Sequence, residues 1–369
     1  MTKLPYFAYG LNMLTRRLRM PERAPSAAPV GIGYVEGRTL TFSKISNDES
    51  GECDAEDSTF TNPDARVHGV LFELADAERQ ALRAAEKGYK ETDVEVITND
   101  KTVPAFTYVA ASRAETALQP YHWYKAIVMA GAREHGLPGE YIEQIRASPS
   151  KHDPDPLRRV KNEWVLIADL LQYAISRVGR QRATGLSAAK LHNQRSRDFV
   201  EAFAEGLRLP FLESSTVVVF SEGYKGNRYK ENRPRFKQRE LLYDVLMCDT
   251  ATTKAAITKN ELTFITRAFW AIESEFDRDS RESMYDFNKL ILSSAEAKLF
   301  IGPLLRDSDP AAILRPLRDA AAHCSGELLA ALVPHPSLWQ PKVVQPVQLW
   351  WWQRGDWQPL ATSKSGQAS

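Results

Sequence analysis

Three groups of residues have the types and spacing for chemistry. Near the start, Tyr6-Phe7-Ala8-Tyr9-Gly10-Leu11-Asn12-Met13 is a short apolar strand running into Gly and Asn, residue types that tolerate the backbone angles of a tight loop. Such a loop can aim successive N–H groups at one point, and so hold a carboxylate or a developing oxyanion without a charged side chain. The plainer reading of the octet is a core strand ending in a turn. In the second half, Glu273 and Glu275 stand two apart in the extended run Phe269-Trp270-Ala271-Ile272-Glu273-Ser274-Glu275 and share a face. Asp244 belongs to the preceding predicted strand and Lys289 to the following helix, while Glu201, Glu205 and Glu240 stand in neighbouring elements. Solvent-facing strand ends would give the same carboxylate pattern. Third, Lys225, Arg228, Lys230, Arg233, Arg235, Lys237 and Arg239 interleave with Tyr224, Tyr229 and Phe236. A loop of that composition can track a phosphate backbone and stack on bases, although solvated loops share it.

Elements must position these groups. Alternation predicts strands over 30–35 and 38–42 paired around Glu36-Gly37, a long polar loop over 46–57 and a strand over 67–74. Asp76 is expected to cap a helix over 77–85. Strands resume at 94–96 and 106–109, and helices follow over 121–134 and 140–147. This mixture favours a barrel-like sheet closed by helices over a doubly wound parallel sheet. Across 148–159, Pro149, Pro154 and Pro156 oppose both helix and strand and mark a boundary between domains over 3–157 and 163–369. Beyond it a helix is expected over 163–178. An α-β-β-β-α-β series follows, with a helix over 187–207, strands over 216–220, 241–248 and 262–276, a helix over 281–295 and a strand over 298–301. The tail adds helices over 311–322 and 327–332, then a hairpin bringing Trp350, Trp351 and Trp352 toward Trp357 around Arg354-Gly355-Asp356, with at least one tryptophan packed inward.

At 369 residues, 43% apolar and 26% charged, the chain suits two globular domains better than disorder or a coiled coil. Its net charge of +1 gives no whole-chain argument for nucleic-acid binding. The longest apolar runs, 217–220 and 349–352, fall far short of the roughly 20 residues of a membrane span. No basic start with an apolar run behind it is seen, so a soluble cytoplasmic protein with no membrane partner is expected. Cys53, Cys248 and Cys324 are odd in number and widely separated, which fits a reducing compartment and gives neither a zinc knuckle nor a disulfide framework.

The opening octet resembles the Tyr-Gly-Ser-Asn loop of the γ-glutamylcyclotransferase-like superfamily. Three further blocks agree in order and spacing: Leu40-Thr41-Phe42-Ser43-Lys44-Ile45-Ser46, Gly69-Val70-Leu71-Phe72 leading to Glu86 and Tyr89, and Gly131-Ala132 followed by Gly136-Leu137-Pro138 and Tyr141. The resemblance covers roughly 3–157. It implies an α+β fold, a compact β-barrel with helices, that closes a γ-glutamyl group to 5-oxoproline and releases the attached amine without a cofactor. Glu86 occupies the family's catalytic position and would serve first as base and then as acid; on its own it reads as an ordinary helix-end carboxylate. Tyr9, Gly10, Leu11, Asn12 and Tyr108 would bind the γ-glutamyl substrate, the loop amides holding its carboxylate or the attacked oxygen. Leu11 departs from the pattern, standing where the family usually has Ser. Backbone donors survive that change and a hydroxyl does not, so a ligand-sensing module is the alternative to an enzyme.

The α-β-β-β-α-β series resembles the PD-(D/E)XK nuclease-like, or restriction-endonuclease-like, fold. That resemblance implies an α/β domain in which Asp244, Glu273 and Glu275 bind Mg²⁺ and Lys289 supports the attacking water. Glu275 stands where the usual Glu-x-Lys has Lys. With nucleic acid engaged through 225–239, the alternative function is a small-ligand sensor fused to a metal-dependent nuclease or nucleic-acid-binding domain.

Overall fold

A computed structural model describes residues 3–116, 118–180, 187–212, 214, 216–222, 241–255, 261–277, 280–304, 309–339 and 346–360. The chain divides into two units, Met1–Pro154 and Asp155–Ser369.

In the N-terminal unit, β1 (Lys3–Ala8) leads through a 3-10 turn (Leu11–Met13) to α1 (Thr15–Leu18), β2 (Ala28–Glu36), β3 (Arg38–Ile45), β4 (Gly51–Asp57) and β5 (Arg66–Ala75). A second 3-10 turn (Asp76–Glu78), α2 (Arg79–Ala85), β6 (Tyr89–Ile97), β7 (Thr102–Ala110), α3 (His122–Glu134) and α4 (Gly139–Ala147) complete it. The expected barrel is present, in the order β1-β5-β2-β6-β7, closed where Tyr6 of β1 pairs in parallel with Phe106 of β7. Phe7, Met13, Phe72, Val70 and Val96 are buried in this unit, Phe7 on one face of the β1–β5 pair and Val70 and Phe72 on the other.

Three details differ from expectation. β2 does not pair with β3: it joins β5 and β6 in the barrel, while β3 leaves to pair with β4. The segment 51–57 is therefore a strand and not loop. Its polar composition hid it, because Asp54 is fully buried, accepting the Ala110 amide at 2.8 Å and pairing with Arg113. Asp76 opens a 3-10 turn and makes no side-chain cap.

The C-terminal unit runs α5 (Pro156–Val178), α6 (Ala188–Arg208), β8 (Val217–Ser221), β9 (Val245–Lys254), β10 (Glu261–Ser274), α7 (Ser280–Leu292), β11 (Ala297–Leu304), α8 (Ala311–Ala321), β12 (Glu327–Pro334), β13 (Gln348–Gln353) and β14 (Asp356–Pro359). The strands form one seven-stranded sheet, β14-β13-β12-β11-β10-β9-β8, parallel across β10-β11-β12 and antiparallel elsewhere. Each parallel pair is joined by a helix, as parallel strands require.

Here α5 begins inside the segment read as a linker. Asp155 accepts the Arg158 amide at 3.1 Å and Pro156 occupies the first turn, the one helical position that needs no N–H. Residues 327–334 are β12 and not a helix; an unbroken apolar run buried on both faces carries no period with which to choose. The hairpin of β13 and β14 is observed, with Trp351 buried and its Nε1 donating to Glu327 at 2.9 Å.

Candidate active site

The loop after β1 is shaped by what packs on it. Gly10 precedes the 3-10 turn, whose first bond runs from the Met13 amide to the Gly10 carbonyl at 3.0 Å. The N–H groups of Leu11 and Asn12 come before that bond and have no acceptor within the turn. Behind them stands α3. A Cβ added at Gly131 would lie 2.4 Å from the Leu14 nitrogen and 2.6 Å from the Met13 carbonyl carbon, so only a bare helix face fits there. The end of α3 holds the loop as well: Glu134 accepts the Thr15 amide at 2.9 Å and His135 contacts the Met13 carbonyl oxygen at 3.1 Å.

Glu86 ends α2, and Gly88, at φ +79°, turns the chain into β6. This delivers the carboxylate to the loop. Glu86 Oε1 accepts from Asn12 Nδ2 at 3.0 Å and from Arg23 Nη1 at 2.8 Å; Asn12 Nδ2 also reaches the Tyr6 hydroxyl at 2.9 Å, and Asn12 Oδ1 accepts from Arg23 at 3.2 Å. The orientation of the Asn12 amide is chemically forced, since a flip would set oxygen against carboxylate and NH₂ against guanidinium. Glu86 Oε2 has no hydrogen-bond partner among the described residues.

Glu86, Tyr9, Gly10, Leu11, Asn12 and Tyr108 all line one cavity of about 240 Å³, with Tyr6, Arg17, Arg23, Lys44, Glu52, Tyr89 and Tyr124 among its other walls. Lys44 and Glu52 form an ion pair of 2.5 Å. The two tyrosines named from the sequence turn their hydroxyls elsewhere: Tyr9 donates to the Tyr108 carbonyl, and Tyr108 to Glu91 at 3.3 Å. Burial, reinforced by the charge of Glu86, raises the Tyr6 hydroxyl far above its ordinary range, so it stays protonated. Burial pushes the Cys53 thiol up to about 12 and keeps it from acting as a nucleophile.

Sequence reasoning missed Arg17 and Arg23. Both lie in stretches with no period, and Arg23 sits in a Pro- and Ala-rich loop that gave no sign of folding back over Glu86. Leu11 lines the cavity half-buried. Leu11→Ser adds a hydroxyl without moving the amides, so kcat for any turnover at this site is expected to stay within about threefold. KM should shift by no more than about tenfold, the size of one hydrogen bond. A kcat change above a hundredfold in steady-state assays would show that the hydroxyl position is itself catalytic.

The AIG2-like family model matches residues 66–145. Over 148 residues the chain is 31% identical to the human (Homo sapiens) gamma-glutamylcyclotransferase, covering 38% of this chain and 77% of that protein. The mouse (Mus musculus) gamma-glutamylcyclotransferase is 29% identical over the same shares. The chain belongs to the γ-glutamylcyclotransferase family. A solved γ-glutamyl cyclotransferase structure is 27% identical, with a TM-score of 0.38, and matches 42% of this chain and 92% of its own. Within this family chain, all of the matched model and the whole cavity fall in the N-terminal unit.

The C-terminal candidates are arranged differently from the sequence expectation. β9 starts at Val245 and β10 stops at Ser274, so Asp244 and Glu275 lie just outside the strands. Asp244 accepts from the Ser274 amide and hydroxyl at 2.8 and 2.6 Å. Glu273 is fully buried; its Oε2 takes Lys289 at 3.1 Å, its Oε1 has no partner, and Lys289 also pairs with Asp286 at 2.8 Å. Glu275 accepts the Asp277 amide at 2.5 Å. Asp244, Glu275 and Glu201 line a polar cavity of about 580 Å³, and Glu273 and Lys289 are not part of its wall. Glu201 accepts from the Ser221 hydroxyl at 2.5 Å, and Glu205 pairs with Arg177. Among the described residues no group of three or more His, Cys, Asp or Glu is gathered closely enough to hold a metal ion. The basic stretch 225–239 and Glu240 lie outside the described residues. Among the described residues, no helix is long and apolar enough to cross a membrane.

Burial, then the charge of Asp244, pushes the Glu273 carboxyl up to about 8 against the opposing pull of Lys289. A carboxyl raised in the folded state takes up a proton on folding. Its stabilising effect is complete below its unfolded value of 4.5 and is lost as pH rises through about 8. Urea unfolding of the wild type at pH 5.5 and 8.5 is therefore expected to show a loss that Glu273→Gln flattens. Parallel pH profiles for the two proteins would refute the assignment.

Proposed function

We propose that the N-terminal unit closes the γ-glutamyl group of a small γ-glutamyl amide into 5-oxoproline and frees the amine, with Glu86 moving the protons. The supporting observation is that Glu86 shares one cavity with the Gly10–Asn12 backbone and is hydrogen-bonded to Asn12, while Oε2 has no hydrogen-bond partner among the described residues. Asn12 and Arg23 fix the carboxylate through Oε1, so Oε2 is the oxygen that can receive a proton from substrate.

The substrate α-amine attacks the γ-carbonyl carbon. One C–N bond forms, the carbonyl oxygen takes up negative charge, and collapse of the tetrahedral intermediate breaks the original amide C–N bond. The α-ammonium enters with three protons and the lactam nitrogen keeps one. The leaving amine departs as an ammonium, so two protons cross by way of Glu86 and none is consumed. Amides at the start of a 3-10 turn suit the developing oxyanion because they are held in place before the charge appears. A cavity of about 240 Å³ is below the roughly 300–1,000 Å³ of sites for drug-sized ligands and is on the scale of an amino-acid derivative.

The test is 5-oxoproline release by the purified chain from a γ-glutamyl dipeptide and from a γ-glutamyl amine. If neither is turned over and both raise the melting temperature, the unit is a binding module and the reaction assignment falls.

A further inference from the structure

We propose that Arg17 is the clamp for the α-carboxylate of the γ-glutamyl group, which leaves the Leu11 and Asn12 amides to the oxygen of the attacked carbonyl. The inference rests on the cyclotransferase reading of the cavity and decides between the two roles open to the loop.

Of the cations in the cavity wall, Arg23 is committed to Glu86, Lys44 to Glu52, and Lys87 is exposed to solvent. Arg17 lines the same wall, has no ion pair among the described residues, and carries a buried Nε that donates to nothing. A guanidinium left with a buried donor inside a concave site is matched to a planar anion, because its fork binds carboxylates with two parallel hydrogen bonds. Burial and the neighbouring Arg23 bring Arg17 down to about 10, still protonated at neutral pH, and Glu86 is among the charges close enough to act on it.

The position relative to Glu86 selects which anion. The α-amine and the α-carboxylate of a glutamyl group are borne by one carbon, so a base that serves the amine brings the carboxylate close by, within reach of a cation in the same wall. Arg23 is already taken by Glu86 and Asn12, and Lys87 is exposed; Arg17 is the partly buried cation of the wall that has no ion pair among the described residues. The α-carboxylate keeps its charge from ground state to transition state, so an arginine bound to it sets affinity and leaves the chemical step alone. The carbonyl oxygen gains charge only during reaction and is better served by fixed backbone dipoles.

The experiment compares 5-oxoproline with its carboxamide, 5-oxoprolinamide, by isothermal titration on wild type, Arg17→Gln and Arg17→Lys. Because Arg17 has no ion-paired anion among the described residues, neither substitution removes the partner of a buried carboxylate there. Wild type is expected to favour 5-oxoproline over the amide by at least about tenfold. Arg17→Gln should bind the two within about twofold, and Arg17→Lys should recover part of the preference. With a turned-over γ-glutamyl substrate, Arg17→Gln should raise KM about tenfold or more with kcat within about threefold. Equal binding of the acid and the amide by wild type, or a preference retained in Arg17→Gln, overturns the clamp. If the preference exists and is lost in Arg17→Gln while wild type releases no 5-oxoproline, the clamp stands and the reaction assignment fails. If turnover occurs with KM unchanged by Arg17→Gln, the reaction stands and the clamp fails.

Discussion

Glu86→Gln is expected to lower 5-oxoproline release by a factor of about 10²–10⁴, the usual range for loss of a positioned general base and acid. The substitution separates chemistry from architecture. The glutamine carbonyl oxygen can still accept from Asn12 Nδ2 and Arg23 Nη1, now 3.0 and 2.8 Å from Glu86 Oε1, so the loop and Arg23 keep their places. The amide NH₂ then occupies the place of Oε2 and cannot take a proton from the α-amine. Binding of 5-oxoproline should change far less than kcat. Equal rates for wild type and variant would show that the cavity works without Glu86 and would remove the proposed mechanism.

The second large effect concerns stability. Arg159 is 3% exposed on α5. Its Nη1 pairs with Glu296, its Nη2 donates to the Phe269 carbonyl at 3.1 Å and its Nε lies 3.4 Å from Glu163, which also accepts Trp270 Nε1 at 2.7 Å. One cation thus joins α5 to β10 and to the start of β11 and neutralises two carboxylates. Arg159→Met retains the aliphatic stem and removes the charge, so Glu163 and Glu296 each lose a cationic partner, while Glu163 keeps the Trp270 indole and Glu296 keeps Arg267 at 3.5 Å. Breaking a buried pair from one side costs about 3–5 kcal/mol, and that is the loss expected in urea unfolding of the C-terminal unit. The double variant Arg159→Met/Glu163→Gln should recover part of it, because one of the two carboxylates that faced Arg159 is then neutral. A loss under about 1 kcal/mol would mean that the network is solvated and adds little.

The barrel and the loop after β1 were legible because local rules and tertiary context agree there. Tyr6 to Asn12 reads as strand and turn, and it is strand and turn. Glu86 was placed by the family resemblance alone, since nothing in its own neighbourhood separates it from any helix-end carboxylate. Where local chemistry pointed away from the fold, the reading failed. β4 looked like loop because its buried Asp54 is satisfied by Arg113 and by a backbone amide, partners far away in sequence. β12 looked helical because residues buried on both faces have no polar phase. Pro156 looked like a breaker until Asp155 made it the first turn of α5. Arg17 and Arg23 could not be found by pattern, because their importance lies in which carboxylates they face or lack.

The bare face of α3 at Gly131 has a temporal meaning as well as a spatial one. The loop after β1 comes early in the chain, yet its backbone is held by a helix that follows every strand of the barrel. Closing so long a stretch of chain is entropically slow compared with forming the hairpins within it. A nascent polypeptide that has completed its last barrel strand therefore still lacks a formed cradle. The Gly10–Asn12 turn is thus fully backed only once α3 has docked.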